Sequence, residues 1–298
     1  MNELDHAATF HALHRADAPQ LLVLPNAWDA MSARAIEEAG APAIATTSAG
    51  VSWSLGRQDG QDLTRDEMVA AVGRIATAVR IPVSADIEGG YGGGSPDDVA
   101  ETVRAVIGVG AVGINLEDTP GTEGQVLLAP DVQAKRIAAA RSAAASEGVQ
   151  LFINARIDVY LAEAGPEEGR FDDAVGRARV YAEAGEDGAF VPGVLDPAAI
   201  ERLAAEIELP LNILAGPGAP PVADLRRLGV RRVSLGSSLA LTIMATIQSA
   251  ARVVLEDGMF GPLSGELGFP QAQELFARRD QAFGGGRRQP SLESPAGS

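Results

Sequence analysis

Val83-Ser-Ala-Asp-Ile-Glu-Gly-Gly-Tyr-Gly-Gly-Gly94 begins as a buried parallel strand should, apolar and β-branched, and delivers two carboxylates at its end. In strand geometry, residues i and i+2 point to the same side, so Asp86 and Glu88 can share one small volume. The glycines that follow free the backbone to turn toward the next helix. Two further strands have the same design. Val112-Gly-Ile-Asn-Leu-Glu-Asp118 ends in Glu117 and Asp118, and Leu151-Phe-Ile-Asn-Ala-Arg-Ile-Asp158 delivers Asn154, Arg156 and Asp158. Strand ends that carry acid, acid and arginine outline a site for a metal ion and a carboxylate.

Outward from these strands the chain alternates. Strands are expected at 21–24, 43–47, 83–88, 112–117, 151–156, 189–191, 211–215 and 232–235, each followed by a helix. Eight strand–helix units in about 240 residues predict a (β/α)8 TIM barrel over residues 1–257, led by a short helix at 1–18. A doubly wound open sheet is the alternative, but it has fewer units and needs a phosphate fingerprint. Gly90-Tyr-Gly-Gly-Gly-Ser95 falls short of G-x-G-x-x-G and follows two acids that would repel a pyrophosphate. The segment Ser48 to Asp62 reads as a long loop. Ser95-Pro-Asp-Asp reads as a helix cap, with Asp97 favoured in that role, and Asp29 and Asp118 could also be caps or surface charges. Residues 258–283 read as a helical extension and 284–298 as a disordered tail.

Composition removes several chemistries. The formal net charge of −16 argues against nucleic acid and anionic membranes as partners. No apolar run reaches the ~20 residues needed to span a bilayer, and the N-terminus does not resemble a signal peptide. A cytoplasmic location is expected. The absence of cysteine excludes thiolate nucleophiles and cysteine zinc sites. The single lysine, Lys135, lies within a helical pattern, which disfavours Schiff-base chemistry. His6, His11 and His14 all belong to the leading helix and are expected on its rim or surface, as surface or packing groups. Oxygen-ligand chemistry with Mg²⁺ or Mn²⁺ is what remains.

Ala85-Asp-Ile-Glu-Gly-Gly-Tyr-Gly92 resembles the A-D-x-[DE]-x-G-[FY]-G stretch of the isocitrate lyase/phosphoenolpyruvate mutase superfamily. Ile114-Asn-Leu-Glu-Asp118 resembles its second acidic strand end, and Asn154-Ala-Arg-Ile-Asp158 its arginine strand. Thr47-Ser-Ala-Gly-Val51 with Leu55-Gly-Arg-Gln-Asp59 resembles its substrate-carboxylate loop. The resemblance implies a Mg²⁺ enzyme acting on small anionic 2-oxo or enol carboxylates. It implies Asp86 as direct metal ligand, Glu88 and Glu117 holding the metal's waters, and Asp59 supporting that shell. It further implies that Arg156 grips the substrate carboxylate, aided by the Ser48, Ala49 and Gly50 backbone, with Asn154 also in the substrate site. A homotetramer with exchanged closing helices is implied as well.

One departure bears on the reaction. The superfamily's lyases carry a Lys-[Lys/Arg]-Cys-Gly-His loop after the second acidic strand, and its phosphonomutases a lysine and an asparagine there. The equivalent here, Thr119 to Pro130, has none of these residues. Glu123, Tyr91 and Tyr160 are the candidate proton donors. A carbon–carbon lyase or decarboxylase of an oxaloacetate-like acid fits this loop best. Phosphonate rearrangement and a non-catalytic binding barrel are the alternatives.

Overall fold

The computed structural model describes residues 3–120, 126–265 and 267–277. Its strand segments are β1 (Leu22–Leu24), β2 (Asn26–Ala27), β3 (Ile44–Thr46), β4 (Val83–Asp86), β5 (Gly113–Glu117), β6 (Phe152–Arg156), β7 (Gly188–Val191), β8 (Leu211–Leu214) and β9 (Arg232–Ser234). The helices are α1 (Glu3–Leu13), α2 (Ala30–Glu38), α3 (Ser48–Ser54), α4 (Arg65–Ala78), α5 (Pro96–Gly108), α6 (Pro130–Ser146), α7 (Arg170–Ala184), α8 (Pro197–Glu206), α9 (Val222–Arg227), α10 (Ser238–Asp257) and α11 (Phe269–Ala277).

All pairings are parallel, in the order β1-β9-β8-β7-β6-β5-β4-β3-β2. Only Pro25 separates β1 from β2; the first pairs with β9 and the second with β3, so the sheet closes on itself. A proline has no N–H to donate, but its carbonyl still accepts from Ala45 N at 3.1 Å. The two segments therefore act as one bent strand of a (β/α)8 barrel, longer than the strand expected at 21–24. Asn26 staples the seam: Nδ2 donates to the Thr46 carbonyl, and Oδ1 accepts from Leu235 N and Gly236 N.

The N-terminal end of the barrel is plugged by α1. A Cβ on Gly113, the first residue of β5, would lie 2.6 Å from Phe10 Cε1, so only glycine leaves room for that ring. Phe10 meets Phe152 edge-on at 5.6 Å, and His14 stacks on Phe152 at 3.8 Å. Instead of lying on the rim, His14 is only 2% exposed, because its stacking partner lies inside the wall.

Other expectations change in detail. The segment from Ser48 opens as α3 rather than a loop. Serines, glycine and valine are poor helix formers, so packing overrides propensity there: a Cβ on Gly50 would lie 2.9 Å from Trp28 Cβ. Asp29 does cap α2, accepting from Ser32 N. The cap of α5 is Ser95, whose capping-box partner is Asp98; Asp97 takes no part. Asp118 is neither cap nor surface charge, since it is fully buried.

The expected lack of a membrane-length segment also needs correction. Helix α10 has 20 residues and a mean hydropathy of 1.5, long and apolar enough to cross a bilayer by length and composition. Thr242, Thr246 and Gln248 interrupt its apolar residues, which hides the signal from a search for unbroken runs. It is the helix that follows the last barrel strand. Its outer side leaves Leu241, Ile243, Met244 and Ile247 exposed. Beyond it, α11 returns to α2, where Arg34 Nε donates to the Leu275 carbonyl at 3.1 Å.

Candidate active site

Asp86, Glu117 and Arg156 are the last residues of β4, β5 and β6. Register places Asp86 beside Asn115 and Glu117 beside Arg156, so the three groups rise from adjacent strands at the C-terminal mouth, where barrel enzymes keep their chemistry. Arg156 lies between two acids: Nη1 is 2.7 Å from Glu117 Oε2, and Nε is 2.7 Å from Asp158 Oδ1. Asp86 Oδ2 accepts from Ser48 N, at the start of α3, at 3.1 Å, and the Asp86 amide donates to Thr46 Oγ1 at 2.8 Å.

Glu88 follows the end of β4 and is buried with both oxygens engaged. Oε1 accepts from Tyr91 Oη at 2.6 Å, and Oε2 accepts from Gln61 N at 2.7 Å. The Tyr91 proton thus points at Glu88. Burial, with the Glu88 charge beside it, raises the phenol well above its ordinary value. Asp59 is exposed in the turn at 56–62. Its charge nonetheless adds to the upward push on Asp86 and Glu88. Asn154 lies below the mouth, inside the barrel, where Nδ2 donates to Asn115 Oδ1 at 2.8 Å. Tyr160 is half-buried in the turn after β6, and burial raises its phenol. Glu123 lies outside the described residues.

The electrostatics are those of crowded acids. Burial pushes the Glu117 carboxyl up to about 8 against the pull of Arg156, with Asp158 and Asp86 adding to the rise. Burial pushes Glu88 up to about 7 and raises Asp86 too. Arg156 is buried, which works to lower its value, but Glu117, Asp158 and Asp86 outweigh this and hold it firmly charged. Desolvated carboxylates of this kind favour a bound cation. Among the described residues no three carboxylates, histidines or cysteines converge as direct metal ligands. All-oxygen donors suit Mg²⁺, which takes one or two carboxylates directly and keeps several waters.

Several groups that support these strand ends do not stand out in the sequence. Arg136 of α6 donates from Nη1 to the Glu117 carbonyl at 3.2 Å and from Nη2 to the Gly89 carbonyl, clamping two acidic strand ends together. Its position one turn from Gln133 and Ala140 on the buried side of α6 was the available clue. Asp158 Oδ2 accepts from Thr119 Oγ1 at 2.7 Å, and its amide donates to Asp118 Oδ1 at 3.0 Å. Asp118 is in turn held by Arg177 Nη1 at 3.0 Å and Tyr181 Oη at 2.9 Å. Arg232, fully buried in β9, donates to Asn115 Oδ1 at 3.1 Å beneath the mouth. Burial lowers its guanidinium to about 9, with Asp86 opposing.

This geometry sets one charged arginine among a group of buried acids at the mouth of a parallel barrel. The chain belongs to the phosphoenolpyruvate phosphomutase family, whose profile matches residues 10–255, and so to the isocitrate lyase/phosphoenolpyruvate mutase superfamily. It is 38% identical over 246 residues to an uncharacterized protein of Mycobacterium tuberculosis, covering 83% of this chain and 88% of the relative. A Corynebacterium glutamicum protein named probable 2-methylisocitrate lyase 2 is 32% identical, over 65% of this chain and 62% of its own length. More distant is a protein of Pseudomonas fluorescens named oxaloacetate decarboxylase 2, at 26% identity over 76% and 75% of the two chains. Among solved structures, a Burkholderia cenocepacia protein provisionally named a phosphonomutase superposes with a TM-score of 0.79 at 44% identity. It covers 83% of this chain and 99% of that one.

Proposed function

We propose that this protein is a Mg²⁺-dependent (or Mn²⁺-dependent) carbon–carbon lyase acting on a small 2-oxo carboxylate of the oxaloacetate type through an enolate. The observation that carries this reading is the placing of Asp86, Glu117 and Arg156 at three successive strand ends, with the acids raised by burial and the arginine held charged. Asp86 would hold the metal directly, while Glu88 and Glu117 would hold its waters and Asp59 would support that shell. A metal bound there would supply electrophilic stabilisation of the developing negative charge. Arg156, oriented by Glu117 and Asp158, would bind the substrate carboxylate, and the backbone of Ser48, Ala49 and Gly50 at the start of α3 would complete that grip. In a decarboxylation the C3–C4 bond breaks, CO2 leaves with C4, and the electron pair passes into the enolate. A proton at C3 then gives pyruvate. Neither this step nor hydrolytic cleavage needs the lyases' cysteine loop, whose place is taken by 119–130. Glu123 and Tyr160 are the candidate donors for that proton.

Phosphonate rearrangement is the second reading, favoured by the 44% identity to the Burkholderia protein. It is weakened by the missing lysine and asparagine. The location proposed is the cytoplasm, and the assembly a homotetramer with exchanged C-terminal helices. The exposed apolar side of α10 supports the latter, as does an apolar cavity of 760 Å³ between α2, α10 and α11, lined by Met31, Ala35, Ile243, Leu267 and Phe276. A monomer by light scattering would refute the assembly.

The test is calorimetric titration with oxalate, a mimic of the pyruvate enolate, with and without Mg²⁺. Binding should require the metal and disappear in Asp86→Ala and Arg156→Ala. Turnover of oxaloacetate that stops with EDTA would then separate an enzyme from a binding barrel. No oxalate binding by the unaltered protein would overturn the reading.

A further inference from the structure

Three of the four non-glycine residues with left-handed backbone among the described residues meet at one point. They are Gln61 (φ 62°), Glu88 (φ 48°) and Tyr91 (φ 58°). None belongs to the residue types that adopt this region readily, because Cβ there crowds the backbone carbonyl oxygen. The three are tied in a closed ring. Gln61 N donates to Glu88 Oε2 at 2.7 Å, Tyr91 Oη donates to Glu88 Oε1 at 2.6 Å, and Tyr91 N donates to Gln61 Oε1 at 3.0 Å. A turn after β4 alone would not require this. The glycines at 89 and 90 could take the unusual dihedrals, and Gln61 comes from a different segment of the chain. A Cβ on Gly89 would lie 2.9 Å from Gln61 Nε2, so the glycine there leaves space for the glutamine amide.

From this ring we infer that Gln61 is a positioning residue: it fixes the Glu88 carboxylate in one orientation and docks the turn at 56–62, with Asp59, onto the site. The inference rests on the Mg²⁺ reading of Asp86 and Glu88 given above. Glu88 presents a carboxylate whose two oxygens each already accept a protein hydrogen bond, which suits holding a metal-bound water better than direct ligation. Gln61 acts on both sides of this arrangement. Its amide holds Glu88, its side chain holds the backbone of Tyr91, and Tyr91 returns the second bond to Glu88. Strain that persists because surrounding bonds over-determine it is the pattern expected where geometry serves function. Groups that orient a metal's surroundings change metal affinity by roughly 10–100-fold when removed.

The experiment is Mg²⁺ titration calorimetry and thermal melting of the metal-free protein, for the unaltered chain, Gln61→Gly, Tyr91→Phe and the double variant. Gln61→Gly keeps the N–H and relieves the left-handed strain but loses the acceptor for Tyr91 N. It should melt at or above the unaltered temperature and yet bind Mg²⁺ about tenfold or more weakly. Tyr91→Phe, which removes one bond to Glu88 with little change of shape, should weaken binding similarly. The double variant should lose about as much as either single one, because both act through one carboxylate. A role confined to stability would move the melting temperature and leave affinity alone. Unchanged affinity in Gln61→Gly, or full additivity in the double variant, would overturn the inference while the metal site stands. Absence of Mg²⁺ binding by the unaltered protein would overturn the site reading and this inference together.

Discussion

The histidine at the plugged end of the barrel should make this fold lose stability in mild acid. His14 Nδ1 lies 2.8 Å from the Phe10 carbonyl, which can only accept, so the neutral ring carries its proton on Nδ1. Its Nε2 is buried without a partner among the described residues. Protonation would place charge on that atom with no acceptor among the described residues to receive it. Burial accordingly pushes the pKa from its ordinary 6.5 down to about 3; the Arg232 charge adds to this, and the Phe10 bond opposes it. The unfolded chain takes up the proton near 6.5 and the folded chain only near 3. Stability is therefore complete above 6.5 and falls as pH drops through this window, by about 1.4 kcal/mol per pH unit. Between pH 7 and pH 5 the His14 contribution comes to about 2 kcal/mol, or roughly 3 °C in melting temperature for a chain of this size.

Denaturant unfolding at both pH values, on the unaltered protein and on His14→Asn, would check it. The asparagine amide can replace the Nδ1–H bond to Phe10 but cannot titrate. Carboxylates titrate alike in both proteins and cancel in the comparison. The unaltered protein should lose about 2 kcal/mol more than the variant. Equal losses would refute the burial argument, and with it the picture of α1 as a tight plug.

Gly113→Ala should destabilise the fold by about 1–3 kcal/mol, because its methyl group must displace Phe10 or strain β5; an unchanged melting temperature would show that the plug yields. Arg177→Met leaves the fully buried Asp118 without its cation and should cost about 3–5 kcal/mol in denaturant unfolding. A loss below 1 kcal/mol would mean that Tyr181 and the Asp158 amide suffice to hold Asp118. Glu186 has both carboxyl oxygens buried without partners among the described residues, and burial raises its pKa well above the ordinary value. A raised acid costs stability as pH climbs above the unfolded value of 4.5, so Glu186→Gln should gain roughly 1–3 kcal/mol over the unaltered protein at pH 8 and little at pH 4. A gain that does not grow with pH would mean the carboxylate is hydrated in solution.

Much of the site was legible because parallel strands encode it locally. A buried strand is a short apolar run, and the residue that ends it lies at the barrel mouth whatever the rest of the chain does. Asp86, Glu117 and Arg156 could be placed by counting along three such runs, and register then set them side by side. Asn154 shows the limit of that counting, since two residues of offset put it inside the barrel instead of at the mouth. Tyr91 shows another, because its hydroxyl donates to Glu88, three residues away, a contact that strand counting does not show.

The alternation of eight strands and helices, the acidic and basic strand ends, and the chemistry excluded by missing residue types were determined by the sequence alone. Each of these depends on neighbours within a few positions. The bent strand across Pro25, the helix at Ser48–Ser54, the burial of His14 and the ring joining Gln61, Glu88 and Tyr91 were decided only by the tertiary structure. In each case the deciding partner is distant in the chain: β3 and β9 for the strand, Trp28 for the helix, Phe152 for the histidine, and a loop 27 residues away for Glu88. Periodicity reports which side of an element is apolar. It carries no record of which distant group closes the contact, and that contact sets the burial, the strain and the protonation states on which the site depends.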